Sequence, residues 1–270
     1  MKMILKSNLL GFILIININC NDLSEILKSQ KNKINIYEDS KKTEKMGYGD
    51  WYFETDGELL MIKNFIKEND IVIDAGAHFG DWSDLVLKHT KNKCKLYAFE
   101  PVPNFFIKLQ NKVNSNGKCY NLAIGKNDAE VTMNYFYKES EGCSSLYDRK
   151  ALNNIPVQKI NIKVTCLDNF CLNNQIEHIN FLKIDVEGAE WDVLQGADKL
   201  ISNKKIDFIQ FEYGGTFPDA NITLKQIYDY LAIKGYEIFR IAPDGLIHIS
   251  KWRNELENNH LSNWLAIIKS

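Results

Sequence analysis

The 270-residue chain lacks any strong charge imbalance: 33 Lys and Arg stand against 35 Asp and Glu, a formal net charge of −2. Without a basic excess, nucleic acid is not expected as a partner. Its six cysteines, at 20, 94, 119, 143, 166 and 171, include no CxxC pair and no Cys/His knot. Cys166 and Cys171 are the nearest two, and no second pair completes a tetrahedral site. The thiols therefore read as reduced core or surface groups, and no metal is expected. There is no internal repeat and no apolar run of the roughly 20 residues that a transmembrane helix needs. What is present, 45% apolar and 25% charged residues, suits a globular chain that buries a full core.

The first residues stand apart. In MKMILKSNLLGFILIININC, Lys2 and Lys6 precede an apolar run over 9–16, the arrangement of a secretory signal. Asn17 and Asn19 occupy the place where small residues should mark cleavage, so a strand or helix packed on the domain is the competing reading. Compartment stays open between cytoplasmic and exported or membrane-anchored, and membrane contact is expected only through residues 1–20. Residues 21–47, rich in Lys, Asn, Ser and Glu, read as a linker or loosely ordered region, and 48–270 as a single domain.

Within that domain apolar runs alternate with helical periodicity. A helix is predicted over 57–66, IVIDA as a buried strand, a helix over 81–89, KLYAFE as a second strand and PNFFIKLQNKV as a second crossover helix. CYNLAIG reads as a third strand, and EVTMNYFY and KINIKVT as exposed or antiparallel strands. INFLKIDV, a helix over 189–201, IDFIQFEY and a helix over 224–234 follow. YEIFRIA, LIHI and NWLAIIK close the chain as strands with little helix between them, which predicts a terminal antiparallel hairpin. Such alternation implies βαβ units and a mostly parallel sheet covered on both faces.

The chemistry gathers at predicted strand ends. Asp74, Gly76 and Gly80 lie where the first strand turns into a helix, a place that offers free N–H groups to a ligand. The spacing D-x-G-x-x-x-G departs from the dinucleotide fingerprint G-x-G-x-x-G. An acid at its start would repel a pyrophosphate and welcome an ammonium. Glu100 ends the second strand, 26 residues after Asp74, where a carboxylate can accept both hydroxyls of a ribose. Asp185 and Glu187 end a third, and Glu212 a fourth, so five acids from four strands rim one edge. That rim could hold a sulfonium, bind a metal, or take a proton from a hydroxyl. Glu190 and Asp192 also read as ordinary helix-start acids.

The set VIDAGAHFGDWS, YAFEPVPNFF, NLAIG, TCLDNF, FLKIDVEGAEWDVLQGA and FIQFEYG resembles the FkbM family of S-adenosylmethionine-dependent methyltransferases, in the right order over about 48–250. The resemblance implies a Rossmann-like class I methyltransferase fold: a seven-stranded, mostly parallel sheet ordered 3-2-1-4-5-7-6, with helices on both faces and an antiparallel last strand. It implies methyl transfer to a hydroxyl oxygen of a sugar, glycan or other small molecule, with S-adenosyl-L-methionine as cofactor. By position, Asp74, Gly76, Ala77 and Gly80 would line the methionine end, and Glu100 would hold the ribose. Asp185 and Glu187 would face the transfer site, Asp185 touching the cofactor as well. His78 departs from the family's asparagine and is open as base, cofactor contact or structural group.

Two segments are candidates for contact with the ligands. Trp51, Tyr52, Phe53 and Glu54 would cover the cofactor or acceptor, or form a plug under the first helix. Residues 137–155, holding GCSSLYDR, read as an acceptor loop or an exposed connection. Competing readings of the whole are an inactive methyltransferase-fold binding module and a nicotinamide-dependent oxidoreductase, the latter opposed by Asp74 and the missing third glycine.

Overall fold

The structure, a computed structural model, describes residues 34–48, 55–137 and 141–269. The signal-like segment 1–20 and the aromatic group Trp51, Tyr52 and Phe53 lie outside the described residues. Among the described residues, no helix is long and apolar enough to cross a membrane.

In chain order the first strands are β1 (Asn35–Glu38), β2 (Ile71–Ala75), β3 (Lys95–Phe99) and β4 (Lys118–Tyr120). Between them run the helices α1 (Glu58–Phe65), α2 (Asp81–His89) and α3 (Pro103–Val113). Three strands follow, β5 (Ala123–Gly125), β6 (Ala129–Phe136) and β7 (Val157–Cys166), and then helix α4 (Leu167–Asn173). Next come β8 (Ile179–Ile184), α5 (Glu190–Gly196), α6 (Asp198–Ser202) and β9 (Ile206–Tyr213). The chain closes with α7 (Thr216–Ala220), α8 (Leu224–Ile233), β10 (Tyr236–Ala242), β11 (Gly245–His248) and β12 (Ser262–Ile268).

Nine strands form the main sheet in the order β1-β11-β10-β12-β9-β8-β2-β3-β4. The expectation of seven strands ordered 3-2-1-4-5-7-6 is corrected by this count, since β11 and β1 extend the sheet beyond β10. The β2, β3, β4, β8 and β9 pairings are parallel, whereas β12 is antiparallel to both β9 and β10. β10 and β11 form the expected hairpin. Residues 34–47, expected as linker, supply β1, which pairs with β11 more than 200 positions away. No local pattern announces such a partner.

Successive side chains of a strand face opposite ways, and here both faces are covered. Val72, Phe181, Phe208 and Leu265 meet α1 to α3 through Met61, Phe65, Trp82 and Leu109. Their neighbours Ile73, Leu182, Ile209 and Trp264 meet α4, α5 and α8 through Phe170, Leu194 and Leu231. Each such fully buried side chain contributes on the order of 1.5–3 kcal/mol.

Two elements read as continuous are broken. CYNLAIG splits into β4 and β5, which belong to different sheets. Between them Asn121 donates from Nδ2 to the carbonyls of Glu100 and Pro101, at 2.9 Å each, and turns the chain there. The helix over 189–201 breaks at Ala197 because the Asp168 carboxylate caps a fresh first turn, accepting from the N–H groups of Lys199 (2.9 Å) and Leu200 (3.0 Å). β6 and β7 pair antiparallel and join β5 in a separate sheet of three strands. Its Met133, Tyr135, Ile162 and Val164 pack on Val102 and Phe105, forming a second wall beside the carboxyl edge of the main sheet.

Candidate active site

One cavity of about 440 Å³ opens at that edge, lined by Asp74, Gly76, Ala77, His78, Glu100, Asp185, Glu187 and Glu212. Parallel pairing of β2, β3, β8 and β9 brings these strand ends together. Gly80 is not among the lining residues. A Cβ there would lie 2.8 Å from Leu109 Cδ1, so Gly80, at φ +85°, lets α2 start against α3. Its expected place at the methionine end therefore has only this packing role beside it in the structure.

Asp74 is fully buried, and its Oδ2 accepts from Ser83 Oγ at 2.7 Å. Its Oδ1 has no hydrogen-bond partner, and burial raises its pKa. Gly76 has φ +88°, and a Cβ on it would stand 1.7 Å from the main-chain oxygen of Asp185. The Asp185 N–H meanwhile donates to the Ala75 carbonyl at 3.0 Å. The absent side chain at Gly76 thus lets two strand ends touch, where an approach to ligand was expected.

Glu100 accepts from the Val102 N–H at Oε1 (2.8 Å) and from the His78 N–H at Oε2 (2.9 Å). Burial pushes its pKa up to about 7 against those two bonds. Each oxygen keeps a second lone pair for a ligand hydroxyl. His78, at φ 49°, places its ring on Phe79 with centroids 3.7 Å apart and against the edge of Phe105 at 4.8 Å. The backbone of His78 serves Glu100 while its ring forms part of an aromatic wall.

Sequence reasoning missed three charged residues here. Lys183, only 3% exposed, lies in register with Asp74 on β2 and donates to Asp185 Oδ2 at 2.8 Å. Burial opposes its charge, but Asp185, Glu58 and Asp74 outweigh burial and keep it an ammonium. Glu58, at the start of α1, accepts from Gln210 Nε2. Burial pushes Glu58 up to about 8 despite Lys183. The one signal was a lone lysine inside the apolar run INFLKI, which only a buried partner can explain.

The third is Arg149. Its Nη1 donates to Glu187 Oε2 at 2.6 Å, and its Nε stands 3.8 Å from Asp219 Oδ2. Burial and then Asp185 push Glu187 up to about 7, with Arg149 opposing. Burial, Asp185, Glu187 and Glu190 raise Glu212 well above the carboxylate range. Asp185, Glu187 and Glu212 offer oxygens within 4.8 Å of one another, a spacing open to a divalent cation or a shared proton.

The nearby helix-start acids hold structure. Glu190 Oε1 accepts from Val186 N–H (3.2 Å) and Gly188 N–H (3.3 Å). Asp192 accepts from Tyr147 Oη at 2.6 Å, and Ser145 Oγ donates to the Glu187 carbonyl at 2.6 Å. The loop holding GCSSLYDR is therefore tied to 187–192 by Ser145, Tyr147 and Arg149, and Cys143, Ser144 and Leu146 line the cavity.

The model of the methyltransferase FkbM domain matches residues 74–238, spanning all of these strand ends. The chain belongs to the FkbM methyltransferase family. As an FkbM methyltransferase its cofactor is S-adenosylmethionine. It is 28% identical over 200 residues to "Methyltransferase 1" of Beauveria bassiana, covering 66% of this chain and 76% of the relative. It is 22% identical over 193 residues to "2-O-methyltransferase NoeI" of Sinorhizobium fredii, covering 67% and 77%. Among solved structures it overlays on an rRNA methylase of Clostridium thermocellum described as putative, with TM-score 0.44 and 11% identity over 79% of this chain and 94% of the other. The residues of the FkbM pocket fit the cofactor. Among the described residues, an ammonium suits the unpartnered Oδ1 of Asp74, a diol suits the spare lone pairs of Glu100, and the one lining lysine, Lys183, is already committed to carboxylates.

Proposed function

We propose that this FkbM methyltransferase methylates a hydroxyl oxygen of a sugar, glycan or other small molecule. The observation that carries the reading is Glu187: a half-buried carboxyl pushed up to about 7 by burial and Asp185, at the cavity edge, held through one oxygen by Arg149. A general base works best with a pKa near the operating pH. The relative named a 2-O-methyltransferase supports an oxygen acceptor.

When bound, S-adenosylmethionine supplies a methyl group made electrophilic by its positively charged sulfur. Glu100 would accept the ribose hydroxyls, Asp74 and Asp185 would face the methionine ammonium, and Ala77 and the His78–Phe79–Phe105 wall would shape the pocket around it. Lys183 fixes the Asp185 carboxylate through Oδ2. Glu187 Oε1, the oxygen that Arg149 leaves open, takes the proton from the acceptor hydroxyl. The side chains of α3 and of the small sheet exclude water from the cavity.

The test is incubation of the full chain with methyl-labelled S-adenosylmethionine and fractionated glycans and metabolites of the source. Label in methyl ethers, found by mass and NMR, is the expected result. Label on nitrogen, or none despite cofactor binding in a calorimeter, defeats the reading. Parallel titration with NADH, and of Asp74→Ala, separates the oxidoreductase and inactive-module alternatives.

A further inference from the structure

Asp74, Lys183 and Gln210 stand side by side on β2, β8 and β9, in register across three neighbouring strands. Each lies two residues beyond an apolar neighbour of the same face, Val72, Phe181 or Phe208, so the three make a polar row on the side that α1 covers. All three are buried. Glu58, the first residue of α1, is 3% exposed and accepts from Gln210 Nε2. It lines the active-site cavity together with Asp74, Lys183 and Asp185.

This cluster holds more acceptors than donors. The charged groups around Glu58 are Asp56 in the turn before α1, Asp74 of β2, and Lys183 and Asp185 of β8, with Glu212 of β9 on the same cavity lining. Among the described lining residues Lys183 is the one ammonium, and it donates to Asp185 at 2.8 Å. Asp74 Oδ1 and Gln210 Oε1 have no hydrogen-bond partner among the described residues. Buried carboxylates that share one cation do not all ionise, so one of them keeps its proton. Asp185 has the ammonium and Asp74 the Ser83 hydroxyl. Glu58 has the Gln210 amide, which serves either state. Its NH₂ donates to a carboxylate, and turned end for end its oxygen accepts from a carboxyl O–H. Burial accordingly pushes Glu58 up to about 8.

We infer that Glu58 is a proton-exchanging member of the cofactor site, holding a proton in the cofactor-free protein and giving it to solvent when the methionine ammonium of S-adenosylmethionine enters. The O–H bond of Glu58 breaks, the proton passes to buffer, and the carboxylate left behind faces a second cation beside Lys183. The inference rests on the placement of that ammonium at Asp74 proposed above, and is independent of the methyl acceptor.

Calorimetric titration of the full chain in buffers of differing ionisation enthalpy counts the protons released. At about pH 6.5 an α-amino group, with its pKa of about 7.7–8.0, is charged before it binds. Three ligands separate the charges: S-adenosylmethionine, S-adenosylhomocysteine, which keeps the ammonium without the sulfonium, and 5′-methylthioadenosine, which keeps the ribose without the ammonium. Wild type is expected to release about one proton more with each of the first two than with the third. Glu58→Gln is expected to lose that proton while binding 5′-methylthioadenosine as wild type does, which shows that it is folded. Between about pH 6 and 8, wild-type affinity for S-adenosylmethionine is expected to tighten by up to about tenfold per unit relative to the variant. No ammonium-dependent release by wild type, release that needs the sulfonium, or equal release by wild type and Glu58→Gln overturns the inference. Asp74→Ala tells the two layers apart. Undiminished affinity for S-adenosylmethionine in Asp74→Ala removes the ammonium placement and the inference with it. Weakened affinity there, beside no proton release in wild type, overturns the role of Glu58 alone.

Discussion

Arg149 Nη1 lies 2.6 Å from Glu187 Oε2, and the two side chains are only 12% and 17% exposed. The pair joins the loop of the small sheet to the end of β8. It lowers the cost of a charged Glu187 where burial and Asp185 raise it. Arg149→Met removes the cation while keeping much of the side-chain bulk. The acid limb of the kcat–pH profile is expected to move upward by about one pH unit or more. Activity lost at pH 7 should return near the alkaline end. An unmoved limb would separate Arg149 from the base.

Glu187→Gln keeps the size and the Arg149 contact but cannot take a proton. Its kcat is expected to fall by about 10²–10⁴, the usual scale of a lost general base. Calorimetric affinity for S-adenosylmethionine should change little. Rates close to wild type would move the base to Asp185 or Glu212.

Glu100→Ala removes the carboxylate that accepts from His78 and Val102 and is assigned to the ribose. A hydrogen bond to a charged group contributes about 1.5–3 kcal/mol, so affinity for the cofactor should drop by roughly 10- to 150-fold. Isothermal calorimetry reads this directly, and unchanged affinity would remove Glu100 from the cofactor site.

Gly76→Ala places a methyl group on the Asp185 carbonyl at φ +88°. A loss of more than about 2 kcal/mol is expected, seen as a lower denaturant midpoint. Gly142→Ala is the control. A Cβ there meets nothing within 4 Å, and its stability should stay within about 0.5 kcal/mol. Equal behaviour of the two variants would refute the contact.

Glu58 carries a pH dependence of stability. Its folded pKa of about 8 lies above the ordinary 4.5, so the folded chain holds this proton more tightly than the unfolded one. Its stabilising contribution is full below 4.5 and is lost as pH rises through 8. Glu58→Gln, which can still accept from Gln210, should flatten the fall in thermal midpoint across this window and raise the midpoint at pH 8. A parallel decline in both proteins would assign the effect elsewhere.

The site's acids were legible because Asp74, Glu100, Asp185, Glu187 and Glu212 lie at the ends of mostly apolar strand segments, and parallel strands end on one edge. Geometry that depends on distant chain was not. Lys183 pairs with Asp185 two residues on, but its burial also depends on Asp74 and Glu58, brought beside it from more than 100 positions earlier. Arg149 carries no sign in its own segment that it will meet Glu187. β1 reads as linker until β11 is placed beside it, and the seven strands that the family resemblance implied leave out both β11, read as a strand from LIHI, and β1. Gly76 shows a subtler limit. Its glycine was read correctly as a close approach, but the partner is the Asp185 carbonyl, which no spacing rule reveals.

That contact divides the labour of the molecule. Because the turn after β2 rests backbone to backbone on the end of β8, the span between the donor-binding turn and the acids of the transfer site is fixed by main-chain pairing. Accuracy of alignment therefore belongs to the central sheet and tolerates little substitution. On the proposed reading, choice of acceptor would fall to the small sheet and the loop tethered by Ser145, Tyr147 and Arg149, where residues can change without disturbing that distance. One half of the pocket acts as a gauge and the other as an interchangeable jaw.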